Sequence, residues 1–251
     1  MGELFRWAAA GEWVREAAGV LEEARVPSPA APLDPPPAPP HAGEWVGRLL
    51  GAAGERALGE LAGRFVARYD AVEAFHAGRP DDPGSYTRHG VRAASASVVA
   101  AEARARFAGG VAPAALDEAL DGLAASIVEG QTCFSLDRRY PTERETFYLL
   151  YGSHYLVAAA VRVRRATGVD LTPRLRGRGV PTLLTCAVPV ERVPEATREA
   201  ICRECMRLAL IGWEGDTPPP LRLDFFLGSL LEPEHILAIE HPEPESDPLA
   251  R

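Results

Sequence analysis

Residues 142–167 read TERETFYLLYGSHYLVAAAVRVRRAT, and the shape of this stretch decides what kind of protein the chain is. Thr142 and Glu145 form a Thr-x-x-Glu capping box, and Phe147, Tyr151, Tyr155 and Ala158 keep a helical step, so one long helix is one reading. The aromatic run Phe147-Tyr148-Leu149-Leu150-Tyr151 equally suits a buried strand, and Gly152-Ser153 in mid-pattern suits a turn. Under that second reading Tyr151-Gly152-Ser153-His154 lies at a strand end, where glycine lets a ligand approach the backbone. Under the first, the stretch is the longest core helix of a helical binding or scaffolding module. The residues themselves leave both open.

The surrounding composition excludes more than it points to. All 27 basic residues are arginine, asparagine is absent and Gln131 is the one glutamine, an imprint of a GC-rich genome such as that of a high-GC bacterium. Without lysine there is no P-loop lysine, no kinase strand lysine, no Schiff-base nucleophile and no Ser-x-x-Lys pair. The chain also lacks His-Glu-x-x-His and Gly-x-Ser-x-Gly. A net charge of −8 argues against a surface that binds nucleic acid as a whole. Glu3 and Glu12 interrupt the first apolar residues, so neither a secretory signal nor a membrane span is expected, and a cytoplasmic location follows. Four cysteines in 251 residues do not make a disulfide framework.

Residues 3–25 read as an amphipathic helix on Leu4, Trp7, Val14 and Leu21, suited to docking on the rest of the chain or on a protein partner. Prolines dominate from Pro27 to Pro40 and predict an extended connector. Gly43-Glu44-Trp45-Val46 then echoes Gly11-Glu12-Trp13-Val14, an echo too short to mark a duplication. A second helical run passes through Leu58, Leu61, Phe65 and Tyr69 to about His76. In it Glu73 and His76 have the spacing of a diiron helix pair, but no second such pair accompanies them, so a helix-end histidine is the expectation. Residues 78–90 are a loop by their Gly, Pro and Asp content, with Asp81-Asp82 serving the turn. Helices are expected over Val91–Phe107 and Pro113–Glu129. In the second half a short strand or loop is expected within 131–140, strands at Val180–Val188, Leu221–Leu231 and His235–Ile239, and a helix over Glu195–Ile211.

The fold class expected is therefore α+β, a helical N-terminal half joined to a small mixed-sheet C-terminal half. Its segments are a helix over 1–26, a linker over 27–42, a helical region over 43–130, an α+β region over 131–240 and an acidic tail over 241–251.

Three constellations bear on chemistry. Cys202-x-x-Cys205 falls inside a helix, where Cys205 shares the apolar face with Ile201 and Leu208, so buried cysteine is preferred to zinc and no metal is expected. Arg162, Arg164, Arg165, Arg174, Arg176 and Arg178 could meet a pyrophosphate or nucleic-acid backbone, though a solvated helix end and loop is the preferred reading. The third is the order of Phe147-Tyr148-x-x-Tyr151-Gly152-Ser153, a helix, the strand at Val180–Val188, Asp224-Phe225-Phe226 and the strand containing Glu232-Pro233-Glu234-His235-Ile236. Over residues 140–240 this order resembles the ADP-ribosyltransferase-like group of NAD-binding domains. In that group an aromatic strand with a His-Gly-Thr or Arg-Gly type step holds the nicotinamide end, and an acidic residue near a late strand contacts the ribose. The resemblance implies NAD or a related nucleotide as ligand, Tyr151, Gly152, Ser153 and Arg144 as cofactor-binding residues, and Asp224 and His154 as catalytic ones. The chain departs from the pattern at Tyr151, where His or Arg stands in the group, and at Asp224, shorter than the usual glutamate. The rival reading is a non-enzymatic interaction or immunity-type partner subunit using the N-terminal helix.

Overall fold

The helical periodicity that begins after the proline-rich stretch stops about two turns earlier than the pattern predicts, and that decides the architecture. The computed structural model describes residues 2–26, 42–93, 95–124 and 130–244, with the side chains of 42–50 and 124 excepted. The expected connector at Pro27–Pro40 and the end of the expected acidic tail lie outside the described residues. Helix α2 spans Ala42–Arg68 with a break at Gly51, and strand β2 follows at once over Tyr69–Gly78. Tyr69, Val72 and Phe75 keep a helical step of three while Phe75 and Ala77 keep a step of two, and all four are buried, so the pattern alone does not choose. What selects the strand is pairing: β1, Glu3–Phe5, lies parallel to its first half, and β3, Thr132–Ser135, antiparallel to its second. The expectation of helix to His76 is thus corrected. Glu73 and His76, an odd number of residues apart on a strand, point to opposite faces, and the diiron spacing has no meaning there.

The chain falls into two units, Met1–Glu73 with Ala187–Phe225, and Ala74–Cys186 with Phe226–Arg251. In the first, residues 3–25 form not one helix but β1, a 3-10 turn at Trp7–Ala9 and α1 at Gly11–Glu23. Helices α1 and α2 pack on α9, Glu195–Leu210. The core is aromatic: the Phe5 and Phe65 rings lie 4.9 Å apart, and Trp13 stands 5.5 Å from both Phe65 and Tyr69, edge to face in each case. Such edge contacts add to the burial of large rings. Arg68 covers the cluster, its guanidinium 5.3 Å from the Tyr69 ring and bonded to Glu3 and Glu12 at 2.9 Å each. The apolar face of α1, Trp13, Val14, Ala17, Val20 and Leu21, is buried within this unit, so a protein partner on this helix would meet its polar face.

The strand order of the sheet is β5-β3-β2-β4-β6, with β4 at Thr182–Pro189, β5 at Asp224–Leu227 and β6 at Ile236–Glu240. The strand expected over Leu221–Leu231 is thus confined to four residues. Strand β6 runs antiparallel to β4, from Leu183 against Glu240 to Cys186 against Ile236. Helices α4 (Ala96–Phe107), α5 (Pro113–Ala124), α6 (Phe147–Tyr151), α7 (His154–Thr167) and α8 (Thr172–Arg176) build a core around Phe107, Leu156, Val163, Leu171 and Leu175. Helix α4 starts five residues later than expected, where the Ser95 hydroxyl accepts from the Val98 amide at 3.3 Å as a cap. The loop expected over 78–90 contains one short helix, α3, Ser85–His89. The fold is α+β, with helices filling most of the first half of the chain. Among the described residues no helix is long and apolar enough to cross a membrane.

Candidate functional site

The stretch 147–163 is neither one helix nor a strand and a helix. Residues 147–151 are helical, Gly152 adopts φ 85°, and Ser153 starts α7 as its cap, its hydroxyl accepting from the Tyr155 amide at 3.1 Å. The aromatic run is helical because Leu149 and Leu150 are buried on it, which overrides the β preference of its residue types. Tyr151, expected to face a ligand, is 2% exposed and belongs to the helical core of this unit. His154 is exposed, and its Nδ1 lies 2.6 Å from the Tyr148 hydroxyl with the Phe147 ring tilted against it, centroids 4.2 Å apart. Partial burial lowers the His154 pKa against the pull of Glu145, so the ring is neutral. Arg144 is exposed at the end of the π-helical turn Tyr140–Arg144. The structure therefore brings the Tyr148 hydroxyl to His154, uses Gly152 and Ser153 as the break and cap between the helices, buries Tyr151, leaves Arg144 exposed, and puts Asp224 exposed at the start of β5, in the first unit.

A different group of polar atoms converges at the end of β2. Alternation sends Phe75 and Ala77 to one face, against Leu149, Leu183 and Tyr148. His76 and Gly78 take the other face, where the His76 ring lies 5.6 Å from Phe134 and 6.1 Å from Tyr86 on α3. His76 Nδ1 stands 2.9 Å from the Cys133 carbonyl oxygen. A carbonyl can only accept, so Nδ1 carries the proton. Burial lowers the His76 pKa more than this hydrogen bond raises it, which keeps the ring neutral and leaves Nε2 as a bare acceptor. A side chain at Gly78 would come 3.2 Å from the Tyr86 hydroxyl and 4.0 Å from His76 Nε2. Gly78 is buried, and with no side chain there the strand packs closely beside those two polar atoms. Burial pushes the Tyr86 hydroxyl up to about 12, so it remains protonated.

A late segment of the chain, Leu231–His235, runs beside α3. Helix α3 packs against the 3-10 turn Pro233–His235. Gly90, at φ 69°, lets the chain after α3 run against the Leu231 carbonyl, and Val91 and Leu231 exchange backbone hydrogen bonds of 2.8 and 3.0 Å. That register places Glu232 and Glu234 beside the α3 segment. Reading residues 69–76 as helix hid this group. The signal that could have found it is a glycine two residues after a histidine at the end of an apolar run, followed by the loop residues Arg79-Pro80-Asp81.

The remaining constellations are structural where their partners are seen. Cys202 and Cys205 are buried in α9, and burial pushes the Cys202 thiol up to about 12. Of the arginine cluster, Arg178 pairs with Asp81 at 2.8 Å, Arg164 with Asp170 at 3.7 Å, and Arg174 donates to the Ala108 carbonyl at 2.8 Å. Arg162 and Arg165 line a shallow groove of ≈ 300 Å³ with Ala115, Ala119 and Glu118. Among the described residues no group of three His, Cys, Asp or Glu side chains is placed to hold a metal ion.

No family model, no curated protein and no solved structure matches this chain.

Proposed function

We propose that the second unit binds NAD or a related nucleotide as an ADP-ribosyltransferase-like protein, with the end of β2 at the centre of its site. The observation that carries the reading is the neutral His76 imidazole, its Nδ1 committed to the Cys133 carbonyl and its Nε2 close to Gly78 and the Tyr86 hydroxyl. The group that the chain resembles uses a His-Gly-Thr or Arg-Gly type step on an aromatic strand. His76-Ala77-Gly78, following Phe75, puts a histidine and a glycine on a strand, departing from that step by the intervening Ala77, whereas Tyr151-Gly152 closes a helix. Glu232 and Glu234 lead into the late strand β6, where the resemblance expects an acid near the ribose, and both carry the glutamate length that Asp224 lacks. A carboxylate there favours the positive charge that develops at the ribose anomeric carbon as its bond to nicotinamide breaks.

The test is calorimetric titration of NAD into the wild-type protein and into the His76→Ala, Glu232→Gln, Glu234→Gln and Asp224→Ala variants. Wild type gives binding heat, and His76→Ala weakens it about tenfold or more, the worth of one hydrogen bond of about 1.4 kcal/mol. Absence of heat with the wild type ends the proposal. Full affinity in His76→Ala with loss in Asp224→Ala moves the site away from β2.

A further inference from the structure

We infer that Arg79 is a positioning residue of this site, its guanidinium tying the strand end that carries His76 and Gly78 to the backbone of α6 and of the turn after α8. The inference rests on the reading of β2 as the nucleotide-binding strand. Arg79 follows Gly78 directly. Its Nε donates to the Arg178 carbonyl at 2.9 Å, Nη1 to the Leu149 carbonyl at 3.0 Å and Nη2 to the Arg176 carbonyl at 2.6 Å. The three acceptors come from two separate segments and are neutral. Leu149 and Arg176 lie in the last turns of α6 and α8, where carbonyls have no amide partner inside the helix and carry partial negative charge. A planar fork spreads its donors over three nitrogens and meets all three acceptors at once, whereas the three donors of a lysine ammonium sit on one nitrogen.

The backbone of Arg79 is held as firmly as its side chain. Its carbonyl accepts from Arg106 Nη2 at 2.9 Å, and the next carbonyl, that of Pro80, accepts from the Val180 amide at 2.9 Å. Arg106, with a side chain 2% exposed, also pairs with Glu102 at 2.8 Å and Asp81 at 3.5 Å. Gly179 has φ 77°, and a Cβ there would lie 2.5 Å from the Arg79 carbonyl oxygen; at Gly152 a Cβ would lie 3.3 Å from Arg79 Cβ. Two glycines thus make room for this residue, one of them the Gly152 that breaks α6 from α7. The Arg79 pKa is lowered by desolvation and by the nearby Arg106 and Arg176. A cation is kept there despite that cost, and what it gains is the geometry of the strand end. Since β2 alternates, Arg79 works on the α6 face and fixes from behind the strand whose other face carries His76.

The experiment compares wild type with Arg79→Lys and Arg79→Ala by thermal melting, by nitrogen-15 NMR of the His76 imidazole and by NAD titration. The wild-type ring shows the Nδ1-protonated form imposed by the Cys133 carbonyl. In folded Arg79→Lys the ring signals shift toward the mixture of tautomers found in free histidine, and NAD binding weakens about tenfold or more, as displacement of a binding group by an ångström does. A variant that melts earlier but keeps the wild-type His76 signals and NAD affinity overturns the inference, because a residue that only stabilises the fold leaves the folded site as it was. Where Arg79→Ala does not fold, Arg79→Lys carries the comparison, since it keeps the charge and the stem. The His76 tautomer is read without ligand: a wild type that binds no NAD refutes the nucleotide reading, while the NMR comparison still decides whether Arg79 sets the strand end.

Discussion

Single residues here take their character from what surrounds them. In the sequence His76 ends a helix-like run; in the fold it is a neutral ring hydrogen-bonded across a strand pair, and no periodicity reports a bond to the carbonyl of a residue 57 positions away. Its lowered pKa has a consequence for stability. As pH falls below 6.5, the ordinary histidine value, the unfolded chain binds a proton that folded His76 refuses. The stability is therefore fully present above that pH and is lost as pH drops toward the folded value. The urea midpoint of wild type should fall between about pH 7.5 and pH 5.5, and that of His76→Gln should fall less. An identical fall in both would assign the acid sensitivity to other groups, His154 first, since its pKa is lowered in the same direction. Phe65 shows the opposite case, a residue legible from sequence as core. It is fully buried with Phe5, Trp13 and Tyr69 around it, and Phe65→Ala should cost about 3–5 kcal/mol, read as a lower urea midpoint at unchanged slope.

At the scale of elements, boundaries decided more than types. The helix of residues 195–210 and the strands around Val180–Val188 and His235–Ile239 were legible because their patterns fit one period. Residues 69–78 were not, since their apolar positions mix steps of three and two over so short a run and the choice falls to β1 and β3. In 147–163 the glycine was the reliable signal and the aromatic run was not: Gly152 does break the chain, at φ 85°, but between two helices. Gly152→Ala forces an L side chain into that conformation against Arg79 and should cost about 1–2 kcal/mol, a fall of several degrees in the melting midpoint with helical content kept. Gly90→Ala should be worse, because its side chain would collide with the Leu231 carbonyl as well as adopt φ 69°. Should NAD bind at β2, this variant should also weaken binding by displacing Glu232 and Glu234; a Gly90→Ala protein with native melting and native affinity would disprove the close approach.

At the scale of the molecule, both units are assembled from two separated pieces of chain, so neither corresponds to a stretch that could be read off in order. The C-terminal strand illustrates the dependence. Strand β6 pairs with β4, and Glu240 forms an ion pair with Arg138. A chain ending at residue 235 should expose the edge of β4 and associate through it, seen as oligomers or precipitate in gel filtration; a monomer with native helical content would show β6 to be dispensable. What the sequence by itself determined is the α+β class, the buried character of Cys205, and the chemistry closed to a chain without lysine, because composition and long regular periodicity are local properties. What the tertiary structure alone decided is where helix α2 ends, that residues 147–151 are helical, and that His76, Gly78 and Tyr86 meet. Each of those depends on partners distant in sequence, and hydrogen bonding across strands and burial against remote helices leave no trace in the order of neighbouring residues.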